Sequence, residues 1–247
     1  MDALIWPILG GLLGLVAGSF LATLVVRWPC GRALGGRSCC DSCGVQLEAR
    51  DLVPLLSWAM AVGKCRHCGT AIAAIHPGME LAAAAIGALA LVANPSPAGL
   101  AGALFGWLLL ALLALDLGHF WLPDRLTLPL LGLGLLFGAG SPAERLAGAA
   151  IGGGGALLLA LAYRRLRGRD GLGMGDAKLM AGLGAWLSPA MIPPLVLVSA
   201  LIGLALAAVR ARRGPGGSRA TDPVPFGACL ALSAFPLWLA GQAGTGG

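Results

Sequence analysis

Charge is what this sequence has least of: Asp, Glu, Lys and Arg make up 11% of its 247 residues, where soluble domains carry about 25%. That is too little to cover a soluble surface, and with 57% apolar residues the chain reads as an integral membrane protein. Basic patches interleaved with aromatics are absent, which sets nucleic acid aside as a partner despite a formal net charge of +6. No G-x-S-x-G, H-E-x-x-H or Walker pattern occurs, so those chemistries have no foothold. The first apolar run has no basic residue ahead of it and no clear cleavage site behind it, so it reads as a retained span and not a signal peptide.

Apolar runs are abundant, and 40 glycines are scattered through them. Runs long enough, or nearly so, to cross about 30 Å of hydrocarbon are Ala3 to Val26, Met79 to Ala93, Ala98 to Leu115, Leu126 to Ala139, Leu146 to Tyr163, Ala177 to Leu187, Ala190 to Val209 and Phe226 to Ala240. The expected fold is an all-α polytopic membrane protein with about eight transmembrane helices and a small cytosolic zinc-ribbon-like loop domain. Residues 1–26 form the first span, 27–78 the loop domain and 79–247 the remaining membrane domain. Of the 17 basic residues, all but Arg145 fall on one side of this eight-span map. The positive-inside rule makes that side cytosolic, which puts both termini outside. The run Arg164-Arg165-Leu166-Arg167-Gly168-Arg169 reads as a topology anchor beside anionic lipid.

The polar segment Arg27 to Pro77 holds two C-x-x-C pairs, Cys40 with Cys43 and Cys65 with Cys68. Each pair offers two thiolates to one tetrahedral ion, and the spacing is that of a four-cysteine zinc site. Disulfides or buried free thiols are the alternatives, and a reducing cytosol disfavours the first. Four cysteines close the coordination sphere, so the zinc is structural, and so small a segment depends on it for folding. Cys39 stands ready to replace Cys40, Cys30 and Cys229 are spare, and His67 is a solvated loop residue.

Ionisable groups in membrane-grade runs are costly unless paired or hydrated, so each is a candidate for function. Asp116 ends one such run, and Asp176 follows Gly171-Leu172-Gly173-Met174-Gly175 before another, with Lys178 just beyond. Gly173 and Gly175 permit close approach of another chain beside Asp176. The alternative for Asp176 is a flexible loop ending in an N-cap. Asp124 has a structural role open to it as an N-cap after Pro123, and His119 reads as a loop residue. Glu80 is either a first-turn acid favourable to the helix dipole or a binding residue. Two carboxyls on one face cannot both ionise easily. One can then take a proton from an attacking water while the other donates to the leaving group.

Together these residues resemble the type IV prepilin leader peptidases, which are bifunctional membrane aspartic peptidases of pilus and type II secretion systems. The match runs through Gly18-Ser19-Phe20-Leu21, Arg27-Trp28-Pro29, both cysteine pairs, Pro54-Leu55-Leu56-Ser57-Trp58, Gly63-Lys64-Cys65 and Pro77 with Glu80-Leu81. It continues through Asp116, Leu122-Pro123-Asp124, Gly173-Met174-Gly175-Asp176 with Lys178, and Pro225-Phe226-Gly227. The resemblance implies cleavage of the short basic leader of a prepilin or pseudopilin after a glycine on the cytosolic face of the bacterial inner membrane, by Asp116 and Asp176. It also implies methylation of the new N-terminus with S-adenosylmethionine, tied to the cysteine loop, Gly63 and Lys64, with Glu80 a further candidate. One departure is Ala22, where the family usually has asparagine. The competing classes are a carboxylate-coupled transporter, a peptidase without methyltransferase activity, and a zinc-bearing scaffold.

Overall fold

The computed structural model describes residues 2–40, 42–168, 171–212 and 224–243. Arg169, Arg213, Arg219 and the C-terminal Gly247, all used in the topology expectation, lie outside the described residues. The described chain is helical, with two isolated bridges, Cys39 with Gln46 and Lys64 with Ala71, in place of strands. It divides into two compact units, Met1–Ala111 and Leu112–Gly247.

The first unit holds α1 (Asp2–Arg27), the cysteine loop with the short α2 (Leu56–Met60), α3 (Ile75–Ala93) and the opening of α4 (Pro97–His119). Between helices in lipid there is little hydrophobic driving force, so association relies on close backbone packing through small residues. Gly10, Gly14 and Gly18 repeat at the i, i+4 spacing that keeps one helix face, and all three meet the backbone of α3. A methyl group on Gly14 would lie 2.2 Å from the Ala83 carbonyl oxygen, and one on Gly18 would lie 2.5 Å from Glu80 Cα. The Trp107 indole of α4 donates to the Ala83 carbonyl at 2.9 Å.

The second unit begins inside α4 and contains α5 (Asp124–Phe137), α6 (Pro142–Arg167), α7 (Met174–Leu187), α8 (Ile192–Arg212) and α9 (Phe226–Ala243). Helix α7 is its centre, touching α5, α6 and α9, and is buried at Leu179, Leu183, Ala185 and Trp186. Against α6 the approach is again backbone to backbone: a methyl on Gly148 would lie 2.1 Å from the Gly184 carbonyl oxygen. Against α5 the buried Trp186 indole donates to the Leu130 carbonyl at 2.9 Å. Helices α8 and α9 share a buried hydroxyl contact, Ser199 to Ser233, at 3.1 Å.

Among the described residues, five helices are long and apolar enough to cross a membrane: Leu4–Cys30, Ile75–Ala93, Pro97–His119, Pro142–Arg167 and Pro189–Arg212. The expected eight crossings are therefore not all supported. Helices α5 and α7 have 14 residues each, about 21 Å at 1.5 Å per residue, short of the roughly 30 Å hydrocarbon core. The apolar stretch of α9, Phe226–Gln242, is also too short to qualify. A run of that length is as consistent with a buried helix as with a span, and α7 is buried among other helices along most of its length.

Gly14→Val forces its side chain into the α3 backbone, where nothing flexible can give way, and should cost at least about 1–3 kcal/mol. Gly11→Ala, whose added methyl meets only ordinary contacts at 3.9 Å or more, is the control. Thermal unfolding of both purified variants in detergent checks this, and equal midpoints would refute the α1–α3 packing.

Candidate active site and metal centre

Asp116 lies in the last turn of α4 and is 4% exposed. An acid there must find a donor or pay the full cost of desolvation, and its Oδ2 accepts the backbone N–H of Ala228 at 2.7 Å. Ala228 belongs to the first turn of α9, whose free N–H groups and positive dipole end suit a carboxylate. Asp176 lies in the first turn of α7, where its Oδ2 accepts the Gly173 N–H at 3.1 Å. The side chain thus closes back on the residue before the helix from the third helical position, which corrects the alternative of an N-cap aspartate.

The two carboxyls converge over Gly227. A methyl on that glycine would lie 3.0 Å from Asp176 Oδ1 and 3.1 Å from Asp116 Oδ2. Leu122 closes the same spot, its Cδ1 2.7 Å from that point and its Cβ 3.0 Å from a methyl placed on Gly175. The absence of a side chain at Gly227 is therefore what lets the start of α9 come this near to both acids, and the absence at Gly175 lets the start of α7 lie against Leu122. Gly227 and the Ala228 N–H were not among the site residues expected from sequence. The available signal was Pro225-Phe226-Gly227 opening the last apolar run, a glycine just inside a helix start.

Lys178, two residues beyond Asp176, pairs with Asp124 Oδ1 at 2.7 Å, both side chains being about half exposed. Asp124 therefore does not act as the expected N-cap. Pro123 holds the cap position without a side-chain bond, and Asp124 instead ties the start of α5 to the start of α7. His119, the exposed last residue of α4, sits where a cation would favour the helix dipole.

In the first unit, the sulfurs of Cys40, Cys43, Cys65 and Cys68 all lie within 4.8 Å of one another. The Cys40 and Cys68 sulfurs are 3.9 Å apart, close to the ~3.8 Å edge of a tetrahedron with metal–sulfur bonds of about 2.3 Å. Each pair sits in the same kind of knuckle. Cys40 N–H donates to Val45 and Gly44 N–H returns to Cys40, while Cys65 N–H donates to Thr70 and Gly69 N–H returns to Cys65. Gly44 and Gly69 follow the second cysteine of each pair at φ 71° and 73°, angles that glycine adopts without strain. The repeated C-x-x-C-G pattern, in which only the cysteines were read from sequence, encodes the pair of knuckles.

The Thr70 hydroxyl and N–H hold the Cys68 thiol down to about 6, and the backbone N–H groups of Cys43 and Ser42 lower Cys40. Cys43 goes the other way: the Val45 N–H lowers it, yet burial and the neighbouring Cys40 and Cys68 sulfurs raise it to about 11. Thiolates so crowded need a cation between them, and the four residues fit a metal ion. Cys39 is outside the cluster, 4.0 Å from Arg27 Nη2, and Cys229 is buried in the second unit.

Beside the knuckles is a cavity of about 500 Å³ lined by residues that include Ser19, Thr23, Arg27, Lys64, His76 and Glu80. Glu80 is 6% exposed and its Oε2 accepts the Leu55 N–H at 2.8 Å. Leu55 has φ 59°, a strained conformation for leucine, and the carboxylate holds it there. The first-turn reading of Glu80 is corrected because α3 starts earlier than expected, at Ile75. Gly63, at φ 67°, lies flush on Trp58, where a methyl would be 3.2 Å from the ring. Of the three residues expected to serve methyl transfer, two, Glu80 and Lys64, line this cavity. Ala22 is fully buried on α1, in step with Gly10, Gly14 and Gly18.

Residues 12–94 match the bacterial peptidase A24 N-terminal domain, and residues 103–208 match the type IV leader peptidase family. A prepilin leader peptidase/N-methyltransferase of Burkholderia pseudomallei (strain 1026b) is 40% identical over 89% of this chain and 80% of its own length. This chain belongs to the type IV leader peptidase family. Members with the same name from Aeromonas salmonicida (strain A449) and Neisseria gonorrhoeae are 38% and 33% identical, over 81% and 94% of this chain and 69% and 90% of theirs. No solved structure matches.

The purified protein should carry about one metal ion per chain at the four-thiolate site. Elemental analysis of the protein and of a Cys65→Ser, Cys68→Ser double variant checks this, and equal metal content in the two would remove the site.

Proposed function

We propose that this chain is a membrane aspartic endopeptidase that removes the short basic leader of type IV prepilins or type II secretion pseudopilins, and that it then N-methylates the new N-terminus. The observation that carries the first activity is the convergence of Asp116 and Asp176 over Gly227. Two carboxyls that close share a proton and titrate as a unit. The ionised member draws a proton from water as its oxygen attacks the peptide carbonyl. The neutral member protonates the developing oxyanion or the leaving amine, and the peptide C–N bond breaks. Asp116 and Asp176 are the catalytic residues, Gly173 and Gly175 shape the active-site loop, and Lys178 holds that loop through Asp124. The concentration of Lys and Arg near Arg27 to Arg66 and after α6 supports a cytosolic active face in the inner membrane.

The methyl donor is S-adenosylmethionine, which supplies an electrophilic methyl group to the freed amine when bound. The cavity of the first unit is the site that fits it in size, and Arg27, Lys64 and Glu80 offer charged groups at its wall. The metal is Zn²⁺ in a structural role, because four thiolates leave no open position for water.

Asp116→Asn and Asp176→Asn should each lower leader cleavage by at least about 10²–10⁴-fold while the protein still accumulates in the membrane. Asp124→Asn, which loses only an exposed ion pair, should cost far less. A gel shift of a co-expressed precursor with a basic leader and Gly-Phe junction reads all three. Normal processing by either of the first two variants would exclude the aspartyl mechanism.

For the second activity, Glu80→Gln should leave cleavage in place and lower methylation, because it weakens the hold on Leu55 and removes a charge from the cavity. Mass spectrometry of the processed N-terminus distinguishes the two products. A fully methylated product would rule out a role for Glu80.

A further inference from the structure

Two carboxyls hold an attacked carbonyl only if the residue carrying it fits beside them, so what else borders that space decides which substrates fit. Asp116 Oδ2, Asp176 Oδ1 and Leu122 Cδ1 surround one point, where a side chain on Gly227 would begin, at 3.1, 3.0 and 2.7 Å. Leu122 is thus as near to the reacting space as the acids are. It is also fixed: Pro123 follows it, and its Cβ rests against Gly175 in the first turn of α7. It is only partly buried, so it is reachable from outside the protein.

We propose that Leu122 is a specificity-determining residue that limits the side chain of the substrate residue supplying the attacked carbonyl, so that the site favours glycine there. This rests on the peptidase reading above. The Cβ of that substrate residue is attached to the atom next to the carbonyl carbon, so it must enter the space Leu122 borders whenever the carbonyl is within the ~3–3.5 Å needed for attack. The residue after the cut bond is one atom further away and meets Leu122 less directly. Asp116 and Asp176 do the chemistry and Leu122 sets the clearance.

The test uses the full-length enzyme in membranes with precursors carrying Gly, Ala or Val before the cut bond, and a second set varied after it. Leu122→Ala should raise kcat/KM for the Ala precursor relative to the Gly precursor by about tenfold or more, the scale of one methyl group against a pocket wall. Leu122→Val should give a smaller rise in the same direction. Selectivity for the residue after the cut should not move, a pattern that general loosening of the fold would not produce. An unchanged Ala-to-Gly ratio in either active variant overturns the proposal. Loss of all processing in both variants also overturns it, since a residue that only limits size is not needed for the carboxyls to act. If the unaltered enzyme fails to process even the Gly precursor, the peptidase reading falls first and this inference with it.

Discussion

The second unit depends on one hydrogen bond, from the Ala228 N–H to Asp116 Oδ2 at 2.7 Å. A carboxylate at 4% exposure at the end of an apolar helix is unstable unless a donor reaches it, and a free N–H at a helix start is the donor the backbone can offer. That donor lies 112 residues further along the chain, so α5 to α8 must fold in a way that returns the start of α9 to the end of α4. The buried Pro225 ring fixes the approach. Gly227, without a side chain, lets the helix start come within reach of both acids. The bond also orients the Asp116 oxygen that shares the space over Gly227 with Asp176.

Glycine plays the same part across both units. A glycine in a helix interior costs about 1 kcal/mol relative to alanine, and this chain accepts that cost many times over. Backbone contact offsets it where lipid provides no hydrophobic driving force, as at Gly14 against Ala83 and Gly148 against Gly184. The α6 contacts hold α7 rigidly enough for its first turn to present Asp176. The alignment of the two acids is thus supported by the close packing of helices well away from them.

Much of the site was legible because its residues violate the composition around them. Asp116 and Asp176 stand out as acids in apolar surroundings, and the cysteine pairs stand out by spacing. What failed to show was carried by residues whose role is to be small or by backbone groups. The Ala228 N–H has no sequence signature, and Gly227 is one glycine among 40. Asp124 looked like a cap because Pro123 precedes it, but its partner is Lys178, 54 residues away and invisible to local reasoning. The apolar runs gave the helices correctly, and five of the described helices meet the length and hydropathy of a span. Hydropathy cannot tell lipid from protein interior, and α7 is apolar because other helices surround it. Glu80 was misplaced within its helix because polar His76 and Pro77 masked a start at Ile75.

The cysteine module and the aspartate pair answer different physical demands. The loop between Arg27 and Ile75 has little buried apolar surface, since Leu52, Val53, Leu56, Met60 and Val62 are all exposed. Four cysteine sulfurs within 4.8 Å of one another, placed to hold one ion, stand in for the core it lacks. Cys39, Cys40, Lys64, Cys65, Thr70 and Ala71 belong to the two knuckles and also line the 500 Å³ cavity. Whatever holds the knuckles closed therefore holds that wall in shape. The acids of the second unit are fixed by helix starts and glycine contacts, none of which involves a cysteine ligand. Metal loss should therefore collapse the cavity and leave the carboxyls where they are. The two modules are thus held in shape by separate means, the acids by helix packing and the cavity wall by the paired knuckles.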